Sequence, residues 1–92
     1  MKTLEADIVE EEVIAVVKEI CEALKISAVI DSEFCPGDYI KSQVLLDSIT
    51  TIGDALGVTI PNECYVFSDK NRKQLSIKET VQKIIKVAKD GN

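Results

Sequence analysis

Cysteine and histidine are the residue types that most often carry nucleophilic or metal chemistry, and their pattern here is restrictive. Cys21, Cys35 and Cys64 lie far apart, form no CxxC pair, and the chain contains no histidine. Protein zinc sites need clustered Cys or His ligands, and Ser–His–Asp or Cys–His hydrolases need a histidine base. We therefore predict no metal site and no catalytic residue of these kinds. The three thiols are expected to be reduced and to lie in or near the core.

The charge balance restricts the partners. The formal net charge is −5 over 92 residues, and an acidic surface is repelled by the phosphates of nucleic acid and anionic lipid. Basic proteins are better partners. The N-terminal segment does not resemble a signal peptide, because acidic residues interrupt any apolar region there. No apolar run approaches the roughly 18 residues that a membrane span needs. We expect a cytoplasmic protein with one domain over residues 1–92, since this length supports one core.

The first segment with helical periodicity runs from about residue 7 to residue 25. Apolar side chains recur there every three or four residues, which is typical of an amphipathic helix. Asp7 and Glu10 stand in the order of an N-cap and its reciprocal partner three residues later. Lys25 suits the negative end of the helix dipole. These signals predict both ends of the first helix.

Two further helices are predicted from similar signals. The second runs from about Ser42 to Leu56, and Gly57 is expected to end it in the left-handed conformation. The last begins at Ser76, where Glu79 completes the pattern of a capping box, and three lysines lie near its C-terminus.

The connecting segments lack this periodicity. Residues 27–41 read as a long loop with turns, which Ile30, Phe34 and Ile40 are expected to pin to the core. Residues 62–67 are interpreted as one short helical turn that buries Tyr65 or Phe67, and residues 68–74 as an exposed, mostly basic loop. The predicted fold is an all-α bundle of three long helices and one short helix.

The segment Leu56-Gly57-Val58-Thr59-Ile60-Pro61-Asn62-Glu63 resembles the stretch that follows helix two in the acyl carrier protein family. The order of a long first helix, a long loop, a second helix, a short third helix and a closing helix is also similar to that family. The resemblance covers nearly the whole chain, and its most specific part is residues 34–63. In the family, the serine of an Asp-Ser-Leu motif at the start of helix two carries a 4′-phosphopantetheine arm. A helix N-terminus favours such a phosphate because its backbone N–H groups are free.

Two serines compete for this role. Ser42 lies 19 residues before Pro61, as in the family, but Lys41 and Gln43 stand where Asp and Leu are expected. Ser48 has the better local match, with Asp47 before it, but lies only 13 residues before Pro61 and would leave a much shorter helix two. Without a cofactor, Ser42 would be an ordinary N-cap and Ser48 a hydroxyl bonded to the carbonyl four residues earlier. We predict Ser42 as the cofactor-binding residue, with Ser48 as the alternative.

The resemblance implies a carrier and not an enzyme. It would hold an acyl or aminoacyl thioester on an arm derived from coenzyme A, for fatty-acid, polyketide or related biosynthesis. Its partners would be a phosphopantetheinyl transferase and acyl-transfer or synthase enzymes. These enzymes would bind an acidic face to which Asp47, Asp54 and Glu63 contribute. The carrier would be a monomer. Lys41 and Gln43 favour an alternative, an unmodified carrier-like interaction module. A third possibility is an unrelated, self-associating helical adaptor.

Overall fold

The computed structural model describes residues 5–61, 66–68 and 73–90. Three α-helices and a single 3-10 turn account for most of the described chain, which confirms the all-α expectation at the level of fold class. The elements in chain order are α1 (Ala6–Ala23), a 3-10 helix (Pro36–Asp38), α2 (Ser42–Leu56), β1 (Val58–Thr59), α3 (Ile77–Val87) and β2 (Lys89–Asp90). In the described ranges no helix is long and apolar enough to cross a membrane.

The beginning of α1 differs from the prediction. The helix begins at Ala6, Glu5 is the N-cap, and no side chain caps this end. Asp7 therefore lies inside the first turn, where a carboxylate still interacts favourably with the helix dipole. The predicted pairing of Asp7 with Glu10 as a cap is wrong because the chain enters the helix two residues earlier than Asp7 would require.

The end of α1 also comes earlier than predicted. The helix stops at Ala23, and the amide of Lys25 donates to the carbonyl of Glu22 at 3.2 Å while that of Ile26 donates to Cys21 at 2.8 Å. This pair of bonds is the Schellman motif, which requires a left-handed residue after the C-cap. Lys25 occupies that position with φ of 58°. It is therefore part of the helix terminator and not of the last helical turn.

The bounds of α2 are those predicted from the sequence. Gly57 has φ of 70° and ψ of 30°, and its amide donates to the carbonyl of Asp54 at 3.2 Å. Glycine adopts this left-handed conformation without the steric penalty of a Cβ atom. Its position fixes the point where the chain leaves the helix.

The predicted capping box at the start of α3 is confirmed. The hydroxyl of Ser76 accepts from the amide of Glu79 at 3.2 Å, and the carboxylate of Glu79 accepts from the amide of Ser76 at 3.1 Å. After α3 the chain forms β2, which pairs antiparallel with β1. Periodicity did not predict this pairing, which closes residues 58–59 against the C-terminal part of the chain.

The short helix predicted over residues 62–67 falls mostly outside the described residues. Val66 and Phe67 form a bend, and both are fully buried. Of the two aromatic residues predicted as alternatives for the core, Phe67 is buried and Tyr65 lies outside the described residues. Of the exposed loop predicted over residues 68–74, Ser68 and Gln74 form an isolated antiparallel bridge and residues 69–72 lie outside the described residues.

The core lies where α1 packs against α2 and α3. Aliphatic side chains from the three helices fill it, and Phe34 and Ile40 of the loop before α2 join it as predicted, with Ile30 half-buried beside them. The side chains of the helical core that are fully buried are Val9, Val13, Val17, Leu45, Ile52, Ile77 and Ile84. This core holds α2 in a fixed position relative to the loop that precedes it.

Candidate modification site

Ser42 is the first residue of α2, and its side chain is exposed. The carbonyl of Lys41 accepts the first hydrogen bonds of the helix, from the amides of Val44 at 3.1 Å and Leu45 at 3.2 Å. Lys41 is therefore the N-cap residue, and Ser42 stands one position inside, so its expected role as N-cap is wrong. The side chain of Lys41 forms no capping hydrogen bond with this end of the helix. The hydroxyl of Ser42 is exposed beside the helix N-terminus.

The loop that leads to Ser42 is anchored to the start of α3. The amide of Ile77 donates to the carbonyl of Phe34 at 2.9 Å, and that of Lys78 donates to the carbonyl of Ser32 at 2.8 Å. These two bonds satisfy N–H groups that a helix N-terminus leaves without an intrahelical partner. The loop is thus held by backbone hydrogen bonds at two successive positions as well as by its apolar side chains.

The last residues before Ser42 form a compact turn. The amide of Ile40 donates to the carbonyl of Pro36 at 2.9 Å, and the rings of Phe34 and Tyr39 stack with centroids 5.0 Å apart. Phe34 is buried, whereas Tyr39 is 55% exposed. The stack supports Tyr39 on the surface three residues before the candidate hydroxyl.

The charges at this end of α2 differ from those of an acidic motif. Lys41 is exposed, and the first turn of α2 contains no acidic residue. The side-chain amide of Gln43 donates to the carboxylate of Asp47 at 3.4 Å, one turn further along. The surroundings of Ser42 are therefore a helix N-terminus and a lysine ammonium, both of which favour an anion.

The hydroxyl of Ser42 has no base to activate it. A serine becomes a nucleophile when a neighbouring group accepts its proton, most often a histidine, and the chain has none. The described residues also contain no cluster of Cys, Asp or Glu that could hold a metal ion. Among the described residues, the site therefore combines an exposed hydroxyl with a helix N-terminus and has neither a histidine nor a metal-binding cluster beside it.

Ser48, the alternative candidate, is in a different environment. Its side chain is 5% exposed, and its hydroxyl donates to the carbonyl of Leu45 at 2.6 Å. The bond predicted to the carbonyl four residues earlier instead reaches the carbonyl three residues earlier. The two candidate serines thus differ sharply in access, with one hydroxyl exposed and the other packed against the helix.

The thiols of Cys21 and Cys35 are free, as expected, and Cys64 lies outside the described residues. Burial raises the pKa of Cys21 above its ordinary value of 9.0. Burial also raises the pKa of Cys35, and the carboxylates of Asp38 and Glu79 add to that effect. Since the thiolate is the reactive form, the raised pKa of each thiol disfavours its reaction as a nucleophile.

Residue patterns did not reveal a groove that opens between α1 and α2. It has a volume of about 340 Å³ and is lined by four residues from each helix, including Ser48. A cavity of this kind depends on how far apart the helices pack, which no local pattern reports.

Comparisons with known protein families, with curated proteins and with solved structures found no match to this chain.

Proposed function

We propose that this chain is a discrete carrier protein whose Ser42 receives a 4′-phosphopantetheine arm through a phosphodiester. The observation that carries the proposal is the exposed Ser42 hydroxyl at the start of α2, after a loop that is anchored to α3. A transferase must reach the hydroxyl, and the linked phosphate must then be tolerated by its surroundings. Both requirements are compatible with this position.

Electrostatics supports a phosphate at Ser42. The N-terminus of a helix carries a partial positive charge, and an anion placed there gains typically about 0.3–1 kcal/mol on an exposed surface. The ammonium group of Lys41 adds a second positive charge on the adjacent residue. A phosphodiester at this position is therefore stabilised by groups that are already present before modification.

Access favours Ser42 over Ser48. Ser48 lines the groove between α1 and α2, but it is only 5% exposed and its hydroxyl already donates to a backbone carbonyl. Ser42 is exposed, so its hydroxyl is much more accessible to a transferase. Ser42 remains the candidate proposed, and Ser48 remains the alternative that peptide mapping can identify.

In this proposal the chain catalyses no step. The arm would carry an acyl or aminoacyl group as a thioester, and transferases or synthases would load and unload it, in fatty-acid, polyketide or related biosynthesis. A flexible tether raises the effective concentration of the cargo at each partner without any new contact. The protein would act as a monomer in the cytoplasm. Sedimentation tests the monomeric state directly.

A second function is favoured by the residues on either side of Ser42. Lys41 reverses the charge expected next to the modified serine, and Gln43 is bonded to Asp47 where an apolar contact is expected. If these differences prevent a transferase from recognising the chain, the fold would serve as an unmodified interaction module.

Incubation with coenzyme A and a phosphopantetheinyl transferase of broad specificity distinguishes the two functions. We expect the intact mass to increase by one phosphopantetheinyl group, and the modified peptide to contain Ser42. Ser42→Ala should abolish the increase, and Ser27→Ala, a change at another exposed serine, should not. An unchanged mass under conditions that fully modify a known carrier would exclude the carrier function and leave the interaction module.

A further inference from the structure

The groove between α1 and α2 has two walls of the same design. On α1 it is lined by Val16, Glu19, Ile20 and Ala23, and these positions follow the helical spacing of three, four and seven residues. Ala23 lies in the last turn of α1, where its small side chain leaves space that a larger one would fill. This wall is therefore apolar along two helical turns, with one carboxylate beside it.

The wall on α2 repeats the pattern. It consists of Val44, Asp47, Ser48 and Thr51, again at spacings of three, four and seven residues. Each wall places a valine first, an acid second and a small residue last. At 1.5 Å per residue each wall is about 10 Å long, which is two helical turns.

The floor of the groove is apolar and incompletely covered. Val16 is 7% exposed, but Ile20 and Val44 are only half-buried, and Ala23 is exposed. A volume of about 340 Å³ lies in the lower part of the range for binding pockets. It has room for a few apolar side chains rather than for a large folded surface.

Charge identifies the kind of occupant. Glu19 and Asp47 place one carboxylate on each wall, both side chains are exposed, and the lining contains no basic residue. The chain as a whole has a formal net charge of −5, so its field also attracts cations. An occupant that combines apolar side chains with lysine or arginine on either side would match both the floor and the rim.

We propose that this groove binds a short amphipathic helix of a partner protein, with apolar side chains on the floor and basic residues paired with Glu19 and Asp47. A helix is favoured because the walls are two turns long, the distance over which residues at spacings of three and four form one face. This binding does not require the arm on Ser42, so it is separate from the proposed carrier function.

The test uses the unmodifiable Ser42→Ala chain and a synthetic helical peptide about four turns long. The peptide carries two leucines four residues apart and lysines beside them, and the control peptide has glutamate in place of each lysine. Amide NMR spectra of the isotope-labelled protein are expected to shift at residues that line the groove, and to saturate with a Kd below about 1 mM. The glutamate peptide should produce no such shifts.

Charge reversal provides the matched controls. The double variant Glu19→Lys and Asp47→Lys is expected to weaken binding by about tenfold or more, because like charges then meet across the interface. Glu22→Lys with Asp54→Lys makes the same change in net charge on the same two helices outside the groove, and should weaken binding by less than about threefold. Thermal melting of each variant confirms that it is folded before binding is compared.

Thr51→Leu provides an independent test, since it fills the groove without changing charge and should also reduce binding. The proposal is overturned if the two double variants weaken binding equally, if the glutamate peptide binds as well, or if no saturable shift appears. Shifts at the groove with a neutral long-chain alkyl amide but not with the lysine peptide would also overturn it, and would indicate that the groove accepts an acyl chain.

Discussion

Replacing Ser42 should abolish modification even though Ser48 remains available. Ser48 lines the groove between α1 and α2 with only 5% of its surface exposed, so we expect a transferase to enclose it only after the turn of α2 around it leaves the core. Its neighbours Leu45 and Ile49 are 0% and 4% exposed. Exposing two such side chains costs about 3–6 kcal/mol, and breaking the hydrogen bond from Ser48 to Leu45 costs about 1 kcal/mol more. At about 1.4 kcal/mol per factor of ten, the reactive state is populated at less than about one part in a thousand.

The assay is a time course of intact mass with excess coenzyme A and a fixed amount of transferase. The Ser42→Ala chain should be modified at least about a thousandfold more slowly than the unaltered chain. Ser48→Ala should be modified at the unaltered rate, since the hydrogen bond that it removes lies within α2, from the Ser48 hydroxyl to the carbonyl of Leu45. Modification of Ser42→Ala at Ser48 within about tenfold of the unaltered rate would refute the reasoning, because burial would then present no barrier.

Three further predictions concern stability. Lys25→Gly should raise the free energy of unfolding by about 0.5 kcal/mol, because glycine adopts the left-handed φ without strain but loses more entropy on folding. Lys18→Gly within α1 should lower the free energy of unfolding by about 1 kcal/mol. Urea unfolding measures both, and a loss of stability in Lys25→Gly would contradict the role of Lys25 in the terminator. Thr80→Val should raise the free energy of unfolding by about 1 kcal/mol, because the Thr80 hydroxyl is fully buried and has no hydrogen-bond partner among the described residues; an unchanged urea midpoint would show that it has one. Burial raises the pKa of Cys21, so the protonated thiol stabilises the folded state below the ordinary pKa of 9.0, and this stabilisation is lost as the pH rises above 9.0. The free energy of unfolding should therefore decline less with rising pH in Cys21→Ala than in the unaltered chain. An equal decline in both chains would argue against burial of Cys21 as the cause.

The helix ends that could be predicted are those set by neighbouring residues. Gly57 ends α2 because only a residue that tolerates positive φ continues the chain there, and Ser76 with Glu79 starts α3 through bonds within one turn. Such signals are complete within a few positions of the sequence. The end of α2 and the start of α3 therefore followed directly from neighbouring residues.

The predictions failed at the end of α1 and missed the pairing of β1 with β2, because the hydrogen bonds that decide these features are not visible in the periodicity of the sequence. Lys25 is a good helix former and favours the negative end of a dipole, yet the hydrogen bonds of the terminator place it outside the helix. The pairing of β1 with β2 joins residues about thirty positions apart, where neither strand has more than two residues to form a periodic pattern. Local patterns contain no information about either outcome.

The candidate site was predicted in part. The position of Ser42 at the start of α2 follows from the helix pattern, whereas its exposure and the burial of Ser48 depend on how α2 packs. The groove depends on packing as well, although the repeated order of valine, acid and small residue on both helices is visible in the sequence. A comparison of the sequences of α1 and α2 would have found Ala23 and Thr51 as the small residues that end the two matching patterns.

The position of the groove on α2 relates the two proposals to each other. Val44 lies two residues after Ser42 and Thr51 lies nine after it, so the groove wall begins about 3 Å and ends about 14 Å along the helix axis from the serine. A partner helix seated there would bring the rest of its protein close to the arm without covering the hydroxyl. Binding at the groove would then raise the effective concentration of the partner at the arm, as a second contact does in any tethered pair. Asp47 also belongs to the acidic face that the transferase is expected to contact, so the test uses Glu19→Lys alone. This change should slow transfer to a groove-binding partner while leaving modification of Ser42 unchanged, and equal slowing of both steps would show that the two surfaces are not separate.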